Sequence, residues 1–186
     1  MMREQHASVG MIEFTSIAAG MEAADRMVKA AGVEVLFFKT VCPGKFLAAV
    51  TGNVAAVAAS VEAGRDTAPH TIVDWFLIPN IHCEVIAALS GAVPPVDSES
   101  LGIIETFSAA SIIVAADAAV KAAAVRVMDI RIALGLGGKG YALFCGEVAA
   151  VQAAVEAGAQ RASESGLLAG KVVIPRPAES FFESLL

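Results

Sequence analysis

"VGMIEFTSIAAGMEAADRMVKAAGVEV", residues 9–35, and "LGIIETFSAASIIVAADAAVKAAAVRV", residues 101–127, align without a gap and are identical at 14 of 27 positions. Shared alanine does not produce such a match. The common set includes Gly10 with Gly102, Glu13 with Glu105, Asp25 with Asp117 and Lys29 with Lys121. A second block, "KFLAAVTGNVAAVAASVEAG" at 45–64, returns as "KGYALFCGEVAAVQAAVEAG" at 139–158, and "IPNIHCEVIAAL" from 78 is echoed by "IPRPAESFFESL" from 174. The first blocks lie 92 residues apart and the second 94, so two residues entered between them, beside the turn that carries Cys42. The chain is a duplication of a segment of about ninety residues. The expected boundaries are a tail at 1–8, a first repeat at 9–92, a linker at 93–100 and a second repeat at 101–186. The linker falls in "SGAVPPVDSES", where glycine, paired prolines and polar residues replace the periodic pattern.

Each repeat spells the same elements. "VGMIEF" alternates as a strand does, and "TSIAAGMEAADRMVKAAG" reads as a helix capped by Thr15 or Ser16, with Ile17, Met21, Ala24 and Val28 on one face and Gly32 closing it. "VEVLFFKT" and "FLAAVTG" form two strands about a Pro43-Gly44 turn. Asn53 caps a second helix with Val54, Val57 and Val61 inward and Gly64 at its end, and "TIVDWFLIP" is a fourth strand. A short helix starts near Asn80. The order βαββαβα predicts α+β architecture, with an antiparallel sheet of ferredoxin-like kind and its helices on one side.

The composition is 56% hydrophobic with mean hydropathy +0.68, yet 6% aromatic, so alanine and valine carry the apolarity. The longest stretch without a charged side chain, Phe46 to Val61, is sixteen residues and contains Gly52 and Asn53. That is short of the roughly 20 that a spanning helix needs. The N-terminus shows no apolar secretion signal, so the cytoplasm is expected, with no membrane partner. Net charge is −6 without a basic run, which argues against nucleic acid. An excess of apolar residues with no lipid to face points to self-association.

Cys42, Cys83 and Cys145 are odd in number and lack CxxC spacing, so neither a disulfide framework nor an intrachain zinc site is expected. "GLGGKGY" contains G-x-G-x-x-G at Gly135, Gly137 and Gly140, but it leads into "YALFCG", which reads as a strand. A dinucleotide loop leads into a helix. Lys29 and Lys121 each follow an aspartate by four residues, the spacing of a surface ion pair, in small apolar surroundings that another subunit could approach. Arg176 stands between two prolines that aim its guanidinium outward. His82 and Cys83, adjacent near a helix start, point different ways and read as structural, as does Cys145 in a buried strand. Neither a Ser-His-Asp set nor a carboxylate pair can be assembled, and the chain is not read as an enzyme.

The combination of "GxIE", "AAD…VKAA", "GKF…G(N/E)VAAV…VEAG" and "IPRP" resembles the bacterial microcompartment shell domain, in its tandem-domain, trimer-forming members. The resemblance runs from Val9 to the C-terminus. It implies pseudo-hexagonal homotrimers tiling with other shell proteins around enclosed enzymes, with a pore on the three-fold axis. "TSIAAGME", "KTVCPGKF", "NIH" and "VIPRP" are most similar to the PduT-like subtype, named for propanediol-utilisation compartments. That likeness implies that Cys42 binds an iron–sulfur cluster, [4Fe–4S], one per trimer, within a pore loop of Val41, Cys42, Pro43, Gly44 and Lys45 with Gly137, Gly138 and Lys139. It further implies that Lys29, Lys121, Asn80 and Arg176 form the lateral edge and that an encapsulated redox enzyme is a partner. Three copies of one thiolate could ligate three irons of a cuboidal cluster, leaving the fourth to a non-protein ligand. Electron transfer and cluster delivery are both compatible. The other readings are a metal-free pore for small metabolites and a small-ligand domain using residues 135–140. Asn80, in place of an edge arginine, and the additional Cys83 and Cys145 depart from the pattern.

Overall fold

A computed structural model describes residues 8–91, 100–132, 135–178 and 180–181. The expected tail and linker therefore lie almost wholly outside the described residues. In the first repeat the elements are β1 (Ser8–Phe14), α1 (Ile17–Ala30), β2 (Glu34–Val41), β3 (Lys45–Gly52), α2 (Val54–Thr67), β4 (Ile72–Ile78) and α3 (Cys83–Leu89). In the second they are β5 (Ser100–Thr106), α4 (Ala109–Ala122), β6 (Arg126–Ile132), β7 (Gly140–Gly146), α5 (Val148–Ser163) and β8 (Leu168–Pro175). Two four-stranded antiparallel sheets result, ordered β2-β3-β1-β4 and β6-β7-β5-β8. This is the α+β architecture that the repeat predicts, with the same strand order in both copies.

The "GxIE" strand is central in each sheet, and β1 is buried along its whole length. Its glycine lets a helix close on the strand. A Cβ at Gly10 would lie 2.4 Å from a Val61 methyl, and one at Gly102 would lie 2.6 Å from a Val155 methyl. Ile12, Phe14, Met27, Ala48, Val50 and Val57 form the apolar core beneath. Of the two candidate caps for α1, Ser16 acts, its Oγ accepting from the Ala19 amide at 3.3 Å. Asn53 caps α2 as expected, accepting from Ala56 at 2.9 Å. Asn53→Ala is expected to cost about 1 kcal/mol. It should appear as a lower urea midpoint with an unchanged slope, and an unmoved midpoint would show that the cap contributes nothing.

Gly64 does not end its helix: α2 continues to Thr67, and Gly64 is buried inside it. A Cβ there would sit 2.6 Å from Met27 Cγ, so close approach to α1 is the reason for glycine. Local helix-stop chemistry and interhelical packing select the same residue, and sequence alone does not separate them.

Packing divides the described residues differently from the repeats. One compact unit holds residues 8–81 with 108–110 and 135–138. The other holds 82–91, 100–107, 111–132 and 139–181 where described. Helix α3, encoded with the first repeat, thus packs in the second unit, where it lies on β6.

Candidate functional site

Strands β2 and β3 are joined by three residues, Cys42, Pro43 and Gly44. A three-residue hairpin connection needs a left-handed residue, and Gly44 supplies it with φ 78°. The Cys42–Pro43 peptide is cis. Val41 is buried at the end of β2 and anchors the hairpin, whereas Cys42, Pro43 and Gly44 are exposed. The thiol of Cys42 therefore stands at the tip of a turn whose base is fixed by β-ladder hydrogen bonds. Three residues earlier, half-burial pushes the Lys39 ammonium below the ordinary lysine range, and its Nζ lies 4.3 Å from the Phe37 ring centroid.

The glycine loop approaches this turn within the first packing unit. A Cβ at Gly138 would lie 3.1 Å from Pro43 Cδ and 3.2 Å from Lys45 Nζ, and the residue has φ 89°. Gly135 and Gly137 share the left-handed conformation at φ 72° and 61°. The loop continues into β7, so the dinucleotide reading loses the helix N-terminus that it needs. On the preceding strand, the hydrogen bond to Asp129 and that residue's charge hold the Arg131 guanidinium above its ordinary range.

The two loop lysines face carboxylates behind the turns. Lys45 Nζ lies 2.7 Å from Glu13 Oε1, and Lys139 Nζ lies 2.9 Å from Glu105 Oε1 and over the Phe107 ring. Of the pore-loop set, the structure brings Pro43, Lys45 and Gly138 together, with Val41, Cys42 and Gly44 on the same hairpin. Lys139 belongs to the second unit.

The lateral candidates lie on separate elements. Lys29 pairs with Asp25 at 2.6 Å on the exposed last turn of α1, and Lys121 pairs with Asp117 at 2.5 Å on α4. Asn80 is exposed in the turn after β4. Arg176, exposed between Pro175 and Pro177, has φ 50°, an uncommon conformation for a non-glycine residue.

The remaining histidine and cysteines have local roles. His82 is the N-cap of α3: its Nδ1 accepts from the Glu84 amide at 3.3 Å, and its own amide donates to Asp117 Oδ1 at 2.8 Å. Cys83 is exposed at the start of α3, and Cys145 is buried in β7. Among the described residues no three His, Cys, Asp or Glu side chains gather into a metal-binding group. Of the three cysteines, Cys42 is the one that stands on an exposed hairpin tip. No helix of the described residues is long and apolar enough to cross a membrane.

Sequence reasoning noted Glu13 only as a repeat-matched position. It is fully buried, and its Oε2 accepts from the amides of Ala109 and Ala110 at 2.8 and 3.3 Å. An acid inside an otherwise apolar strand pattern was the available signal.

A family model described as the BMC domain matches residues 8–81 and again 100–177. Over 179 residues, covering 96% of this chain and 97% of the relative, the sequence is 44% identical to the bacterial microcompartment shell protein PduT of Citrobacter freundii. Over 79 residues, 42% of this chain and 80% of the relative, it is 46% identical to the bacterial microcompartment shell protein EutM of Salmonella typhimurium. A crystal structure of a microcompartment protein from Desulfitobacterium hafniense superposes with a TM-score of 0.86 at 49% identity, covering 95% of this chain and 98% of that one.

Proposed function

This chain belongs to the BMC-domain family in tandem form, and we propose that it is a structural shell subunit of a bacterial microcompartment in the cytoplasm. In this reading it is not a catalyst. It forms a homotrimer that tiles with other shell proteins, and Cys42 from each copy converges on the central pore to hold one iron–sulfur cluster. The observation that carries the cluster reading is the placement of the three cysteines. Cys42 alone stands on an exposed hairpin tip, whereas Cys145 is buried in β7 and Cys83 opens α3.

Cys42 would supply one thiolate per chain, and Pro43 and Gly44 hold it on a narrow turn that a neighbouring copy could approach closely. Lys45, tied to Glu13, keeps the base of the turn in place. A bound [4Fe–4S] group supplies one-electron chemistry. Its role here would be to pass electrons across the shell, or to hand a cluster to an encapsulated redox enzyme. Lys29, Lys121, Asn80 and Arg176 would form the lateral edges, where a left-handed Arg176 presents its donor fork.

Anaerobic reconstitution followed by light scattering and metal analysis tests this reading. The expected mass is three times the 19.0 kDa of one chain, with about four irons and four sulfides per three chains. A trimer with background iron and sulfide would assign the turn to a metal-free metabolite pore. A monomer would remove the pore altogether.

A further inference from the structure

Helix α2 and the edge strand β4 leave a cavity of about 240 Å³ between them, within the first packing unit. Ala58, Val61, Glu62 and Arg65 follow one another at i, i+3, i+4 and i+7, so a single stripe of the helix lines it. Trp75 and Leu77, two apart on the strand, line it from the other side. The Arg65 guanidinium lies over the Trp75 ring, 3.8 Å from its centroid. A guanidinium held on an aromatic face keeps the N–H donors around its rim for another partner. Among the described residues neither Arg65 nor Glu62, one turn away, makes a hydrogen bond or an ion pair.

The same place in the second repeat is built differently. Ile12 pairs with Trp75 in the first sheet as Ile104 pairs with Lys171 in the second, so Lys171 stands where Trp75 does. Lys171 forms an ion pair with Glu156, the counterpart of Glu62. Arg65 has as its counterpart Ala159, which is buried. Where the second repeat satisfies its glutamate internally, the first sets an arginine on an aromatic ring and leaves a cavity beside it.

We propose that this cavity binds a small monocarboxylate with a short aliphatic tail, its carboxylate on the Arg65 donors and its tail against Ala58, Val61 and Leu77. A planar fork of N–H donors matches a carboxylate in two parallel bonds, and the apolar wall beside it matches a hydrocarbon. At about 30 Å³ for each water-sized group, the volume suits roughly eight non-hydrogen atoms, an acid of about six carbons. A cationic ligand is disfavoured, because Arg65 already occupies the ring face that would receive it. Glu62 on the same wall repels a second negative charge, so monoacids are preferred to diacids. An added β-strand is disfavoured as well, since the Trp75 amide already donates to Asp74 Oδ1 at 2.8 Å. The site is complete within one chain and rests on neither the trimer nor the cluster.

Trp75 is the chain's single tryptophan, so its emission reads the site directly. The full chain is titrated with acetate, butyrate and hexanoate at constant ionic strength, by emission and by calorimetry. A saturable response is expected at one site per chain, with affinity rising about two- to fourfold per methylene. Arg65→Gln should weaken hexanoate binding about tenfold or more, the scale of a hydrogen bond to a charged group, while a urea midpoint shows that the variant folds. Arg65→Lys keeps the charge but loses the fork, and should not restore wild-type affinity. Adipate, which adds a second carboxylate to the same six carbons, should bind more weakly than hexanoate, and Glu62→Gln should narrow that gap. Acetate and hexanoate binding equally would mean an adventitious ion only and would overturn the proposal. Equal binding of hexylammonium, undiminished binding by Arg65→Gln, or two sites per chain would overturn it too. The readout is the same for a monomer or a trimer, with or without iron, so failure here leaves the shell reading standing.

Discussion

Cys42→Ser is expected to reduce the iron of the anaerobically reconstituted protein from about four per three chains to background, and to abolish its visible absorption. The oligomer's mass should not change. In the proposed site each chain would contribute a single thiolate, so one substitution would remove every protein ligand from the shared cluster. A serine hydroxyl stays protonated at neutral pH and is a harder, weaker ligand for iron. An unchanged mass is expected because Cys42 is exposed on its turn and supports no core. Cys83→Ser is the matched control, exposed like Cys42 but at the start of a helix, and it should retain the full iron content. Iron kept by the Cys42 variant and lost by the Cys83 variant would reverse the assignment.

Gly158→Val should be the most damaging single change to stability, costing about 3 kcal/mol or more. Gly158 lies inside α5, and a Cβ there would fall 2.6 Å from the Ala115 carbonyl oxygen and 2.6 Å from Ile104 Cδ1. The isoleucine tip can rotate away, but the carbonyl belongs to the α4 backbone and cannot move without shifting the helix. At its repeat partner Gly64 the three nearest atoms are Cγ and Sδ of Met27 and the tip of Ile12, side chains and not backbone. Gly64→Ala should therefore cost less than Gly158→Ala, since side chains yield more readily than backbone and alanine regains about 1 kcal/mol in helix propensity. Gly158→Ala should still lose about 1–3 kcal/mol. Urea midpoints at one fixed protein concentration measure the difference. Equal losses at the two glycines would show that the α4 carbonyl is not the obstacle.

What the sequence disclosed was local and periodic. Gly10 and Gly102, Asn53, and Val57 and Val61 of α2 announced strands, caps and helix faces, because each is dictated by its near neighbours, whereas Val54, expected inward on the first turn, is 45% exposed. The hairpin at Pro43-Gly44 was legible for the same reason. What it did not disclose was long-range. Glu13 and Glu105 are identical in the repeat, yet one is buried on a helix terminus and the other stays partly exposed with Lys139. Two copies of one pattern reach different environments only through tertiary packing. The approach of Gly138 to Pro43 was hidden likewise, since roughly a hundred residues separate the two loops. The role proposed for Cys42 comes from resemblance, because a ligand set completed by symmetry would leave no spacing motif in one chain.

The helix Cys83–Leu89 is encoded with the first repeat but packs in the second unit. A reading frame severed between residues 91 and 100 would divide the gene without dividing the fold: one fragment keeps a helix with no bed, and the other keeps a bare strand. Duplication here did more than place two ancestral proteins in series, because the exchange of a helix makes either half depend on inheriting the other.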